Sequence, residues 1–177
     1  MRRYILTGAP GAGKTSILRA LECEGCSVVE EAATHRNELR HALGVADPHL
    51  ELDFIEAITD LQLRRIAADP PAPIQFHDRS PICTLALCWL LDREVPPILA
   101  EALARIAAED LFERRVLFVA EQGFVTPTAV RRISHAEALR FEALHREAYL
   151  QQGYELIEIP RGPLPGRVSK VKQAVGL

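Results

Sequence analysis

Gly8-Ala9-Pro10-Gly11-Ala12-Gly13-Lys14-Thr15-Ser16 is the stretch whose residue types and spacing could do chemistry most directly. A glycine, four residues and then Gly13-Lys14-Thr15 let the backbone curl until several N–H groups converge on one anion. Lys14 supplies a point charge for the β- and γ-phosphates, and the Thr15 hydroxyl can ligate Mg²⁺. A helix following at once adds the positive end of its dipole. The pattern implies that Gly8 to Ser16 holds a nucleoside triphosphate.

A second set of residues could face that loop. Asp78-Arg79-Ser80 offers a carboxylate with two open roles: ligand to Mg²⁺, or acceptor of a proton from a hydroxyl that attacks the γ-phosphate. Arg79 could bind a phosphate or an acceptor substrate. Glu30 and Glu31 could orient the hydroxyls of an acceptor. Arg131 and Arg132 could neutralise charge on a transferred phosphoryl group if their segment closed over it. His77 is expected to pack beside the site, and His35, His41, His49, His135 and His145 carry no assigned role.

The elements that must position these groups alternate between strand and helix, the mark of a parallel sheet covered on both faces. Strands are expected at 4–6, 27–30, 74–78, 115–120 and 156–160. Helices are expected at about 14–24, from 32 towards 43, from Asp47-Pro48 to the proline cluster at 69–73, at 82–91, at 97–108 and from a capping box at Ser134 to about 152. A Pro/Gly loop at 161–166 then leads into a short final helix. In such sheets ligands bind beyond the carboxyl ends of the strands, where the loop, Glu30-Glu31, Asp78-Arg79-Ser80 and the 121–134 segment would meet.

Length and composition fit this architecture. The chain has 177 residues, 48 % hydrophobic and 25 % charged, enough for one domain with a proper core. A net charge of −3 argues against a general nucleic-acid binder. No apolar run reaches the ~20 residues of a membrane span, and the phosphate loop follows the start at once, so the chain is expected to be cytoplasmic. Cys23, Cys26, Cys83 and Cys88 lack zinc spacing and are expected to be reduced packing residues.

The loop, Asp78-Arg79-Ser80 and the arginines before Ser134 together resemble the P-loop nucleoside and nucleotide kinases. The run from Val28-Val29-Glu30-Glu31-Ala32-Ala33-Thr34 through Asp78-Arg79-Ser80-Pro81 to Arg131-Arg132-Ile133-Ser134 is similar to small bacterial predicted ATPases. These are grouped with the nicotinamide riboside kinase type of AAA-like domain. The resemblance implies a three-layer α/β P-loop NTPase of one domain (1–177), with a five-stranded parallel sheet in the order 2-3-1-4-5. It implies a lid at about 121–152 that carries Arg131 and Arg132. Asp78 would match the acidic residue of the kinase Asp/Glu-Arg-Ser motif, Pro160 to Pro163 would lie near adenine, and Mg²⁺ and ATP would be the ligands. A motor ATPase would end the strand in Asp-Glu, where this chain has Asp78-Arg79. A GTPase would carry Asn-Lys-x-Asp, which is missing. The expected activity is phosphotransfer from Mg²⁺·ATP to a small hydroxylated, nucleoside-like molecule, the other reading being a nucleotide-dependent switch that acts through a protein partner.

Overall fold

The computed structural model describes residues 1–68, 72–122 and 134–177. Its elements follow the alternation of the sequence: β1 (Arg2–Thr7), α1 (Lys14–Cys23), β2 (Ser27–Val29), α2 (Ala32–Ala42), α3 (Phe54–Ala68), β3 (Ile74–Asp78), α4 (Pro81–Leu90), α5 (Pro97–Ala108), β4 (Arg115–Val119), α6 (His135–Gln151), β5 (Glu155–Ile159) and α7 (Leu164–Val175). The strands form one parallel sheet in the order β2-β3-β1-β4-β5. This is the P-loop NTPase arrangement.

The alternation of side chains along β1 assigns the two faces. Tyr4 and Leu6 point to one side, where Phe76, Leu117, Val119 and Ile159 meet Ile17, Leu18 and Leu21 of α1 and Val168, Val171 and Val175 of α7. Ile5 points to the other, where it joins Val116, Ile82 and Ala86 of α4, Ile106 of α5 and Tyr149 of α6. A third cluster, Phe54, Ile55, Ile58, Cys88 and Leu99, binds α3 to α4 and α5 at the side of the sheet. Among the described residues no helix is long and apolar enough to cross a membrane.

Three expectations change. The helix expected from Asp47-Pro48 is only a 3-10 turn at Pro48–Leu50, and α3 starts at Phe54. Glu51 between them is extended (φ −63°, ψ 141°). Its carboxylate is shared by Arg36 and Arg40, and its carbonyl accepts from Arg93 Nη1 at 2.9 Å. These bonds hold the chain out of helical geometry for one further turn. The last helix is not short: its 12 residues begin at Leu164, because prolines flanking the first turn fit where N–H groups have no partner to lose. Cys83 and Cys88 are buried as expected, but Cys23 is exposed on the outer side of α1; all four are free.

Candidate active site

The geometry begins with the register of β1 on β3, which sets Leu6 opposite Asp78. The chain leaves β1 at Gly8 beside the end of β3, and Arg79 N donates to Leu6 O at 3.0 Å. Gly8 is required there: its φ is +126°, and a Cβ would stand 2.3 Å from the carbonyl oxygen of Val119. Gly13, at φ +85°, turns the loop into α1. Lys14 folds back along the loop, its Nζ donating to the carbonyls of Gly8 at 3.2 Å and Ala9 at 2.9 Å.

Thr15 Oγ1 donates to Asp78 Oδ2 at 3.2 Å. The other oxygen, Asp78 Oδ1, is buried and meets no hydrogen-bond partner among the described residues. Asp78 also carries an electrostatic load. Burial, then the neighbouring Glu31 carboxylate, pushes it up to about 6 against the pull of Lys14 and Arg79. Lys14 is shifted the other way, down to about 8, by burial and then by Arg79.

Arg79 is tied on several sides. Its Nε pairs with Glu31 Oε1 at 2.7 Å, its Nη1 reaches His145 Nε2 at 2.7 Å, and its guanidinium lies 5.7 Å from the centre of the Phe141 ring. His145 Nδ1 is 2.7 Å from the Phe141 carbonyl, which can only accept, so Nδ1 carries the proton and Nε2 is free to accept from Arg79. Burial, with Arg79 next, holds His145 well below the ordinary range and keeps it neutral. Arg79 itself has φ +70°, an uncommon conformation for a side-chain-bearing residue. Such strain persists only where the surroundings impose it, and here Glu31, His145 and the Leu6 carbonyl all do.

Glu31, the residue just before α2, accepts from Thr34 Oγ1 at 2.8 Å through its second oxygen. Burial alone would raise it, but Arg79 and Lys14 outweigh that and hold it below the usual carboxylate range. Glu30 points elsewhere: its side chain is 62 % exposed and pairs with His35 at 3.5 Å. A three-residue strand ending at Val29 leaves Glu31, not Glu30, to face the loop.

A cleft of about 780 Å³ opens from the loop between α2, α3 and α4. Pro10, Gly11, Gly13, Lys14, Thr15 and Ser16 line one end, and Glu31 and Arg79 stand at the middle. Phe54, Ile58, Leu87 and Leu91 make apolar walls farther in, with the polar groups of Asn37, Gln62 and Thr84 among them. Thr84 Oγ1 donates to Gln62 Oε1 at 2.9 Å, joining α3 to α4. Ser80 fixes the start of α4: its Oγ accepts from Ile82 N at 3.2 Å and meets Tyr149 Oη of α6 at 2.8 Å.

The structure thus brings together Gly8 to Ser16, Asp78 and Arg79 and leaves Glu30 outside. Arg131 and Arg132 lie outside the described residues, as does most of the 121–134 segment. His77 packs at the back, its Nε2 on Gln75 Oε1 at 2.8 Å and its ring edge-on to Phe112. His145 is the polar residue that sequence reasoning passed over. Its spacing with Phe141 and Tyr149 on one helix face was the available sign of burial. Among the described residues no group of three or more His, Cys, Asp or Glu side chains could hold a metal.

Comparison with known proteins agrees with this fold. A family model described as an AAA domain matches residues 3–167. No curated protein matches the chain. Among solved structures, NadR protein in complex with NAD and AMP-PNP superposes with a TM-score of 0.67 at 16 % identity, covering 99 % of this chain and 50 % of that one. NadR in complex with NR gives 0.68 at 18 % identity, covering 99 % and 51 %. The chain therefore spans about half the length of the NadR structures that it matches. Deoxyadenosine kinase from M. mycoides with bound dATP gives 0.59 at 11 % identity over 99 % of this chain and 100 % of that one. At these identities the likeness establishes the fold alone, that of P-loop NTPases.

Proposed function

The chain belongs to the AAA domain family, and from that premise we propose that it transfers the terminal phosphoryl group of Mg²⁺·ATP to a hydroxyl of a small, nucleoside-sized acceptor. The observation that carries this reading is the cleft. Its volume of about 780 Å³ falls within the ~300–1,000 Å³ usual for small-molecule sites. It begins at the phosphate loop and continues between apolar walls, so donor and acceptor halves adjoin at Glu31 and Arg79.

The loop N–H groups and Lys14 hold the triphosphate. Asp78 and Thr15 suit Mg²⁺: they place hard oxygen donors side by side, and one of them, Asp78 Oδ1, is buried without a partner among the described residues. Mg²⁺ commonly takes one or two protein oxygens and completes its shell with water and phosphate, so a larger acidic cluster is not needed. When bound, the ion neutralises charge on the phosphates.

Asp78 does not line the acceptor cleft, whereas the ionised Glu31 does. We therefore assign Asp78 to the ion, and to Glu31 the task of orienting the acceptor hydroxyl and taking its proton. Arg79, preorganised by Glu31 and His145, steadies charge as the phosphoryl group moves, at no cost of reorganisation. A nucleotide-dependent switch would need no acceptor-sized cleft beside the loop. A screen of nucleosides, sugars and vitamins for acceptor-stimulated ADP release tests the proposal. Stimulation by one acceptor, lost in Lys14→Ala and Asp78→Asn, supports it; turnover that no acceptor raises above basal hydrolysis rejects it.

A further inference from the structure

Arg167, in the first turn of α7, is a buried cation with no counter-ion among the described residues. It is 6 % exposed. Its Nη2 donates to the Ala12 carbonyl at 2.5 Å, and its Nε is buried with no partner among the described residues. No carboxylate of the described residues pairs with it, and burial alone pulls its pKa down. A guanidinium cannot escape such a site by losing its proton, as a lysine can. The effective penalty for an ion buried without compensation is several-fold larger than a typical hydrogen bond returns. The fold nevertheless keeps this group against the outer side of the phosphate loop.

Peptide geometry says what it does there. In a planar trans peptide the C=O and N–H point in opposite directions. Arg167 holds the Ala12 carbonyl outward, so the N–H of Gly13, on the same peptide, is turned the opposite way. Gly13, whose φ of +85° already favours glycine, also lies close under this guanidinium: a Cβ there would stand 2.7 Å from Arg167 Nη1. We propose that Arg167 is a positioning residue of the phosphate loop, which fixes the Ala12–Gly13 peptide with its N–H directed into the cradle and whose unpaired charge is compensated by the bound polyphosphate. This rests on the reading that the loop holds the triphosphate, and it places part of the donor site on a helix some 150 residues beyond the motif (|i−j| = 155 for Ala12 and Arg167).

The test compares wild type, Arg167→Met and Arg167→Lys in the full chain. Thermal midpoints without ligand are measured together with calorimetric affinities for ATP and for inorganic tripolyphosphate. A merely structural arginine would lower the midpoint and leave the affinity of the folded protein alone. The proposal expects the reverse: Arg167→Met melts no lower than wild type yet binds both ligands at least tenfold more weakly, and Arg167→Lys recovers most of the affinity. Equal affinity of wild type and Arg167→Met overturns it, as does Arg167→Lys binding no better than Arg167→Met. The lysine variant against wild type carries the test if the methionine variant does not fold: a tenfold loss at pH 6, where the lysine is charged, also overturns it. Tripolyphosphate binding that depends on Arg167, with no acceptor ever phosphorylated, would reject the phosphotransferase reading and leave this inference standing.

Discussion

Replacing Asp78 by asparagine should make the protein more stable and inactive. Burial and Glu31 raise the Asp78 carboxyl from 3.8 to about 6. That displacement corresponds to about 3 kcal/mol of preference for the protonated form. The sign follows from linkage. A folded pKa above the unfolded one means that the native state binds the proton more tightly. The group's contribution is therefore fully favourable below about pH 4 and is lost as pH rises through 6. At pH 8 wild type bears the whole cost of an ionised Asp78, and asparagine bears none. In metal-free buffer with a chelator, Asp78→Asn should melt higher than wild type at pH 8 by up to ~3 kcal/mol, or roughly 6–12 °C for a chain of this size. The gain should shrink at pH 6 and vanish near pH 4. His77, which burial and then Arg3 push down to about 3, acts in the opposite direction, costing stability as pH falls below 6.5, but equally in both proteins. Melts at pH 8, 6 and 4.5 supply the comparison. A variant less stable than wild type at pH 8, or a difference that does not change with pH, would refute the reasoning.

Other outcomes follow from single contacts. Gly8→Ala should cost at least ~3 kcal/mol, because its Cβ would meet the Val119 carbonyl at 2.3 Å in a φ that side chains avoid; chemical denaturation reads the loss, and wild-type stability would contradict it. Glu31→Gln should lower kcat by roughly 10²-fold or more while changing the KM for ATP little, since it faces the acceptor side; an effect confined to KM for ATP would be inconsistent. Glu30→Gln, on the exposed side, should leave both constants within about twofold. The sequence-based role of Arg131 and Arg132 predicts that replacing both by alanine lowers kcat with nucleotide affinity retained, as measured by separate turnover and binding titrations.

The main elements were legible because their signals are local. The glycine spacing of the loop, the Ser80-Pro81 start of α4, the Ser134–Glu137 capping box and the alternation of apolar runs each depend on a few neighbouring residues, and each recurs in the structure. What the sequence leaves open depends on contacts between distant segments. The choice between Glu30 and Glu31 turns on where a three-residue strand ends, which alternation over so short a run does not decide. The 3-10 turn at Pro48–Leu50 stops because Arg36, Arg40 and Arg93 converge on Glu51 from other elements. His145 and Arg167 show only as polar residues at helical spacing. Their partners, Arg79 and Ala12, lie 66 and 155 residues away.

The most direct measurement of the central claim follows the γ-phosphate itself. ATP labelled in that group is mixed with the protein, Mg²⁺ and the acceptor that best stimulates ADP release, and the products are separated and analysed by mass. Phosphotransfer across the junction at Glu31 and Arg79 predicts label on an acceptor hydroxyl, absent with Lys14→Ala. Label recovered only as inorganic phosphate, whatever acceptor is present, would contradict it.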